Sequence, residues 1–377
     1  MFNIAVCGFG SRLGGVIERL KETGEITLCA IADPRTEEIK KDLESKGYEV
    51  DKIKFYLDLD QLLSDMRPDG ICIGTRCDLH TSLAEKVIPL GIPLFLEKPV
   101  ATTREDLDRL KALTVKYPEN CKKVTVSFPL RLTEHVRMVK EIIDRGDIGE
   151  IAQVQAWNNV YYAIGYYHKW YRDAGITGGQ FLQKATHDFD YINYIVGHKP
   201  KTVAAMRSSV VFGGKKPAGL FCRDCAEKDT CPDYTDNQNR PTSPFDYCAY
   251  GKDITIEDSD SAIVMYDNGV HCVYTQNFIA RKKAGARGAR FIGQYGTVEF
   301  DWQKNKILLF KHYEDRNEEI EVPAMLHHGG GDAMLAQDFL GVLKGEESCC
   351  GLEDGIASAD LCLAARESSE KNIFVNL

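Results

Sequence analysis

Over the first third of the chain, short runs dominated by apolar residues alternate with segments of helical spacing. Ile4–Val6, Ile26–Ala32, Gly70–Gly74, Ile92–Leu96 and Val124–Phe128 have the length and continuity of strands buried on both faces. Between them, Val16–Leu20, Leu59–Leu63, Thr81–Leu90 and Arg104–Val115 place apolar residues on one helical face, and Gly91 supplies a stop for the third. Strand and helix in strict turn predict an α/β unit, a doubly wound parallel sheet covered by helices. After Phe128 the pattern changes, which puts a domain boundary there: residues 1–127 form one domain and 128–377 a second.

The first turn carries chemistry. Gly8-Phe9-Gly10-Ser11-Arg12-Leu13-Gly14 joins the first strand to the first helix, and the second strand ends at Asp33, roughly twenty residues on. In a dinucleotide-binding turn one glycine permits the tight bend and a second lets backbone approach a pyrophosphate. The helix N-terminus then offers its free N–H groups to that charge. Gly8 and Gly10 fit these roles, although the third glycine stands at Gly14, one place beyond the strict spacing that Leu13 occupies. Asp33 suits the ribose hydroxyls and would repel a 2′-phosphate, so NAD is expected, with Arg35 keeping NADP open. Lys98, in Glu97-Lys98-Pro99, follows the strand Ile92–Leu96. Ligands of an open parallel sheet lie outside the carboxyl ends of its strands.

Composition narrows the field. The chain has 377 residues, enough for two domains, and a net charge of −9, which speaks against a nucleic-acid surface. No uninterrupted apolar stretch is long enough to span a bilayer, and Met1-Phe2-Asn3 leads directly into a strand, so the protein is expected in the cytoplasm without a membrane partner. Most of the 13 cysteines sit singly in strand-like or helical contexts. Cys222, Cys225, Cys231 and Cys248 instead cluster in a Gly-, Pro- and Asp-rich segment at about 213–251 that reads as an insertion. Four thiolates there could hold a structural zinc and staple a loop without a core of its own; reduced thiols, an iron–sulfur cluster or a disulfide are the alternatives.

Several motifs together make the chain resemble the Gfo/Idh/MocA family of nicotinamide-dependent oxidoreductases. They are Gly8-Phe9-Gly10, Ala32-Asp33-Pro34, Thr75 to His80, Glu97-Lys98-Pro99, Ile142 to Gly149, His187 to Asp190 and Ile292 to Thr297. The resemblance implies an N-terminal Rossmann domain and a C-terminal α/β domain with a large open, mostly antiparallel sheet. That sheet usually packs against another subunit, so a homo-oligomer, dimer or tetramer, is expected. It also implies cofactor contacts from Thr75, Arg76, His80, Glu97 and Lys98 beside the glycine turn. Two departures are visible. Thr75-Arg76-Cys77 replaces the family's frequent Thr-Pro-Asn, and Gln183 stands where an aspartate often precedes the catalytic histidine by four, giving a Lys184-x-x-His187 arrangement.

Oxidising a secondary alcohol needs a proton acceptor, a cation for the developing alkoxide and a nicotinamide to take the hydride. His187 is the expected base and Lys98 the cation. Lys184, one helical turn before His187, would keep the imidazole neutral, and Asp190 would orient it. The aromatic and basic stretch with Tyr162, Trp170 and Arg172 reads as a substrate wall or a subunit interface. The loop His327-His328-Gly329-Gly330-Gly331 reads as a substrate-closing segment, with Asp332 capping the helix that follows. The expected activity is NAD-dependent oxidation of a sugar, polyol or glycoside hydroxyl. Two alternatives stand beside it: a redox-neutral, NAD-retaining enzyme that cleaves glycosides by oxidation and elimination, and a non-catalytic NAD-binding regulator.

Overall fold

The computed structural model describes residues 1–236, 246–315, 317–323 and 330–377. Two compact units emerge, Met1–Leu132 with Gly330–Ala359, and Thr133–Gly329 with Asp360–Leu377.

The first unit is built on six strands, β1 (Phe2–Cys7), β2 (Ile26–Ala32), β3 (Lys54–Tyr56), β4 (Gly70–Ile73), β5 (Leu94–Leu96) and β6 (Val124–Val126). They pair in the order β3-β2-β1-β4-β5-β6, all parallel. Order reverses between β1 and β4, which makes their carboxyl ends the switch point where such sheets bind ligands. Ile4, Ala5 and Val6 of β1 and Ile71, Cys72 and Ile73 of β4 have no exposed surface, as two-sided burial requires. The flanking helices are α1 (Ser11–Glu22), α2 (Thr36–Ser45), α3 (Leu59–Asp65), α4 (His80–Val87) and α5 (Arg104–Lys116). Gly91 takes the left-handed conformation (φ +68°) that closes the α4 region, as its place in the sequence predicts.

A later segment completes this unit. The helix Gly331–Leu343 sets Phe339 edge-to-face on Phe95 with ring centroids 5.6 Å apart. It also packs so close to β4 that a Cβ on Gly70 would lie 2.6 Å from Leu343. Gly330, not Asp332, is the cap residue of this helix; Asp332 is inside the first turn and accepts a hydrogen bond from Arg12 Nη1 at 2.6 Å. The N-cap expected at Asp332 is corrected accordingly, because an ion pair across the unit occupies that carboxylate.

The second unit carries a nine-stranded, mostly antiparallel sheet. Its strands are β7 (Ile151–Asn159), β8 (Pro200–Ser208), β9 (Ser259–Tyr266), β10 (His271–Asn277), β11 (Ala286–Gly293), β12 (Gly296–Asp301), β13 (Lys306–Lys311), β14 (Asn317–Glu321) and β15 (Val375–Asn376). They run in the order β14-β13-β12-β11-β7-β10-β9-β8-β15, with β7 and β10 the parallel pair. Burial alternates along β9: Asp260, Ala262, Val264 and Tyr266 point inward, whereas Ile263 and Met265 are exposed. The helices Glu134–Asp144 and Thr186–Val196 belong to this unit, and the first packs on β12 and β13.

The cysteine-bearing segment lies beside a small buried cluster, to which it contributes Ala249. Val160, Ala163, Tyr167, Phe212, Ala249, Ile256 and Phe278 are buried together, with Tyr167 stacked on Phe212 at 4.1 Å.

Candidate active site

In the first unit the glycine turn is as tight as its composition implies. Gly8 has φ +82°, and a Cβ there would sit 2.7 Å from the Thr75 backbone nitrogen, so β1 and β4 meet at this point only because the side chain is missing. Gly10 is extended, with nothing within 4 Å of where its Cβ would be, and it caps α1 without any side-chain hydrogen bond. The first N–H groups of α1 have no side-chain acceptor at the cap and no acid in the first turn. These features fit a pyrophosphate at the turn.

Asp33 closes β2 and is buried. Its Oδ2 accepts from the Phe9 N–H at 3.0 Å and from Arg35 Nη2 at 2.7 Å; its Oδ1 accepts from the Arg35 N–H at 2.9 Å and from Arg35 Nε at 3.0 Å. The hydrogen bonds to Asp33, and then its charge, raise the Arg35 guanidinium pKa above its usual range against the effect of burial. Ser11 and Leu13 open α1, with Leu13 buried. Arg12 is tied within the unit: Nε donates to Glu97 at 3.1 Å, Nη1 to Asp332, and Nη2 to Ser127 Oγ at 3.1 Å.

Lys98 follows β5, joined to Pro99 by a cis peptide bond, and is partly exposed. Two side chains from the start of α4 hold the backbone just beyond it. His80 Nδ1 donates to the Pro99 carbonyl at 2.8 Å, and Thr81 Oγ1 donates to the Val100 carbonyl at 2.9 Å. Burial lowers the His80 pKa, so this imidazole is neutral. Thr75 and Arg76 lie between β4 and α4, Thr75 partly exposed and Arg76 exposed. The sequence points to His80 as a cofactor contact; in the structure its Nδ1, with Thr81, also holds the Lys98 loop.

Residues 2–145 match the oxidoreductase family described by an NAD-binding Rossmann fold, and residues 136–299 match the GFO/IDH/MocA C-terminal domain. The chain belongs to the Gfo/Idh/MocA family. YteT of Bacillus subtilis (strain 168), named only as an oxidoreductase, is 26% identical over 406 aligned positions, covering 95% of this chain and 94% of the relative. Myo-inositol 2-dehydrogenase of Thermotoga maritima is 27% identical, over 55% of this chain and 59% of its own. Among solved structures, levoglucosan dehydrogenase in complex with NADH and levoglucosan superposes with a TM-score of 0.78 at 18% identity, covering 100% of this chain and 99% of that one.

In the second unit of this Gfo/Idh/MocA chain, His187, Asp188 and Asp190 lie buried in the first turns of the helix Thr186–Val196. Lys184 precedes it in a π-turn, Phe181–Ala185, rather than in the α-helix assumed from the spacing. Its ammonium is directed to Tyr162: Nζ donates to Tyr162 Oη at 2.7 Å. Burial works against that ammonium, and its nearest polar neighbours are the Tyr162 and Tyr166 phenols. In the other direction Lys184, and then Arg287, pull the Tyr162 phenol below the usual tyrosine range against the effect of burial. Asp188 is saturated, accepting from Asn158 Nδ2 at 2.9 Å, Tyr274 Oη at 2.8 Å and Arg287 Nε at 2.8 Å. Asp188 and Arg287, which sequence reasoning left out, brace the segment that carries Lys184 and His187; a buried acid next to a histidine was the only hint.

The aromatic stretch splits. Tyr162 keeps 49% of its surface exposed, and Trp170 stacks on Tyr171 at 3.9 Å. Arg172 turns inward, donating to the Tyr167 carbonyl at 3.2 Å and to Asp253 at 2.7 Å, so its guanidinium is engaged within the second unit. His327 and His328 lie outside the described residues.

Cys222, Cys225, Cys231 and Cys248 are free thiols, and among the described residues no three His, Cys, Asp or Glu groups converge as a metal-binding set. Burial pushes the Cys222 thiol up to about 11. The segment is held otherwise: Phe221 stacks on Tyr247 at 4.7 Å, the Cys222 N–H donates to the Asp246 carbonyl at 2.5 Å, and the Cys248 N–H to the Leu220 carbonyl at 2.7 Å.

Proposed function

We propose that the protein oxidises a secondary hydroxyl of a sugar, polyol or glycoside, with NAD as the hydride acceptor. The observation that carries this reading is Lys98 at the carboxyl end of β5, its loop held by His80 and Thr81, in a Rossmann unit with an open glycine turn. Bound at that turn, NAD would supply the nicotinamide ring that takes the hydride. Gly8, Phe9, Gly10, Ser11 and Leu13 would receive the pyrophosphate, Asp33 and Arg35 the adenosine ribose, and Thr75 and Arg76 the stretch toward the nicotinamide. Asp33, with its fixed negative charge, favours NAD over NADP.

Lys98 places a positive charge beside the substrate oxygen and stabilises the alkoxide as it forms. His187 takes the hydroxyl proton, and Asp190, one turn on in the same helix, orients the histidine. Tyr162 and Trp170 offer aromatic faces to sugar C–H surfaces. In this reading residues 1–127, completed by the helix Gly331–Leu343, serve the cofactor, and the remainder of 128–377 serves the substrate and subunit assembly. The inositol and levoglucosan dehydrogenases among its relatives support the substrate class.

The decisive measurement is absorbance near about 340 nm as purified protein and NAD meet a panel of sugars, polyols and glycosides. Steady growth with one of them is the expected result. A single burst without further NADH, with product still forming, would instead favour the redox-neutral reading. No response across the panel from protein shown to bind NAD would remove the dehydrogenase reading.

A further inference from the structure

Around Tyr162 the second unit concentrates more positive charge than its carboxylates balance. Lys184 is only 7% exposed, and its ammonium meets phenols: the Tyr162 hydroxyl at 2.7 Å and the rings of Tyr162 and Tyr166 at 4.7 and 5.1 Å. Among the described residues it forms no ion pair with a carboxylate. Asp188, the acid that faces this cluster, already accepts three hydrogen bonds, one from Arg287, so its charge is matched by the guanidinium and not by Lys184.

The approach is basic as well. Arg281, Lys282 and Lys283 precede β11 in the loop that leads to Arg287. That loop runs against the same aromatic pair: a Cβ on Gly285 would lie 2.5 Å from Tyr161, whose ring stands perpendicular to Tyr162 at 5.2 Å. Arg281 reaches Asp233 at 3.5 Å, and Lys282 and Lys283 are exposed. In a chain of net charge −9 this local excess runs against the overall balance.

An ammonium buried against neutral hydroxyl and ring groups is costly unless an anion joins it. The Tyr162 phenol is a poor source of that anion, because a phenol starts about six units above a carboxyl group. Its lowered pKa reports the positive potential around it. A carboxylate, by contrast, is fully charged at neutral pH and accepts from an ammonium and a hydroxyl at once.

We propose that Lys184 and the Tyr162 hydroxyl receive a carboxylate on the substrate, and that the substrates are acidic sugars such as uronates rather than neutral ones. This rests on the hydride-transfer reading for its consequence in turnover, but the binding claim is tested apart from it. Calorimetric titration of the NAD-saturated protein with D-galacturonate and D-glucuronate, against D-galactose and D-glucose, should show acids bound at least roughly tenfold tighter than their neutral partners. Losing one charged hydrogen bond, Lys184→Met should weaken acid binding on the order of tenfold to a hundredfold and remove most of the preference for acids over neutral sugars. Lys184→Arg should keep the preference. If Lys184→Met does not fold by circular dichroism, the surface pair Lys282→Ser/Lys283→Ser should still lower acid affinity, with a weaker dependence on salt.

Equal affinity for acidic and neutral sugars, or binding of neither acid, overturns the proposal. So does a tyrosinate absorption at neutral pH that disappears in Tyr162→Phe, since the phenol would then supply the missing charge. Acid binding without any NADH formation leaves the anion site standing and removes the dehydrogenase reading alone.

Discussion

In the proposed mechanism Lys98 has a cation's task at a strand end, and its neighbours lend backbone support to that position. Lys98→Met should lower kcat on the order of a hundredfold or more, with a smaller change in KM and an unchanged melting temperature, because the charge matters most as the alkoxide forms. A variant of wild-type rate would take Lys98 out of the chemistry. The lysine was legible in the sequence because an apolar run leads straight to it. The clamp behind it was not, since His80 and Thr81 act on carbonyls 19 residues away, a distance no local pattern reports. His135 gives a residue-scale test of stability. Burial between Phe300 and Trp302 lowers its pKa to about 4, against about 6.5 in an unfolded chain. The unfolded state therefore binds the proton first as pH falls. His135 contributes its full share of stability above about pH 6.5 and loses it progressively toward about pH 4, on the order of 2–3 kcal/mol. His135→Phe should flatten the fall in melting temperature over that window; an identical slope would assign the acid sensitivity elsewhere.

At the scale of elements, continuous apolar runs identified five of the six strands of the parallel sheet, because two-sided burial leaves a strong trace. The omissions have physical causes. β3 is only Lys54–Tyr56, at the sheet edge and without a fully buried residue, and α2 buries only Ile39 and Leu43 along an otherwise charged surface. Neither could announce itself through hydrophobicity. The π-turn before His187 was equally hidden, since Lys184 and His187 have the same spacing in sequence whichever helix they adopt. The turn after β1 makes the sharpest prediction at this scale. Gly8→Ala adds a Cβ at φ +82° against the Thr75 backbone, so it should destabilise the unit by more than about 1 kcal/mol and weaken NAD binding together with it. Thermal melting and NAD titration of one preparation check both effects; NAD affinity equal to wild type would dissociate the turn from the cofactor.

For the whole molecule, the open face of the second sheet matters. Ile263, Met265 and Val273 lie exposed on neighbouring β9 and β10, an apolar patch that a second subunit would cover. Sedimentation should show a dimer or tetramer, and Ile263→Lys should shift it toward monomer; a monomeric wild type would refute the assembly. The helix Gly331–Leu343 carries a different consequence. Arg12 reaches Asp332 across 320 positions of sequence, and Phe95 of β5 is covered by Phe339. During synthesis, the sheet that begins at Phe2 waits until strands β7 to β14 of the second sheet have been made before that apolar surface is covered. A nascent chain halted before this helix would present bare Phe95 and the Gly70 groove to solvent, a species prone to chaperone capture and aggregation. The cofactor unit is begun before the nine-stranded sheet and finished only after β14 of that sheet has been made.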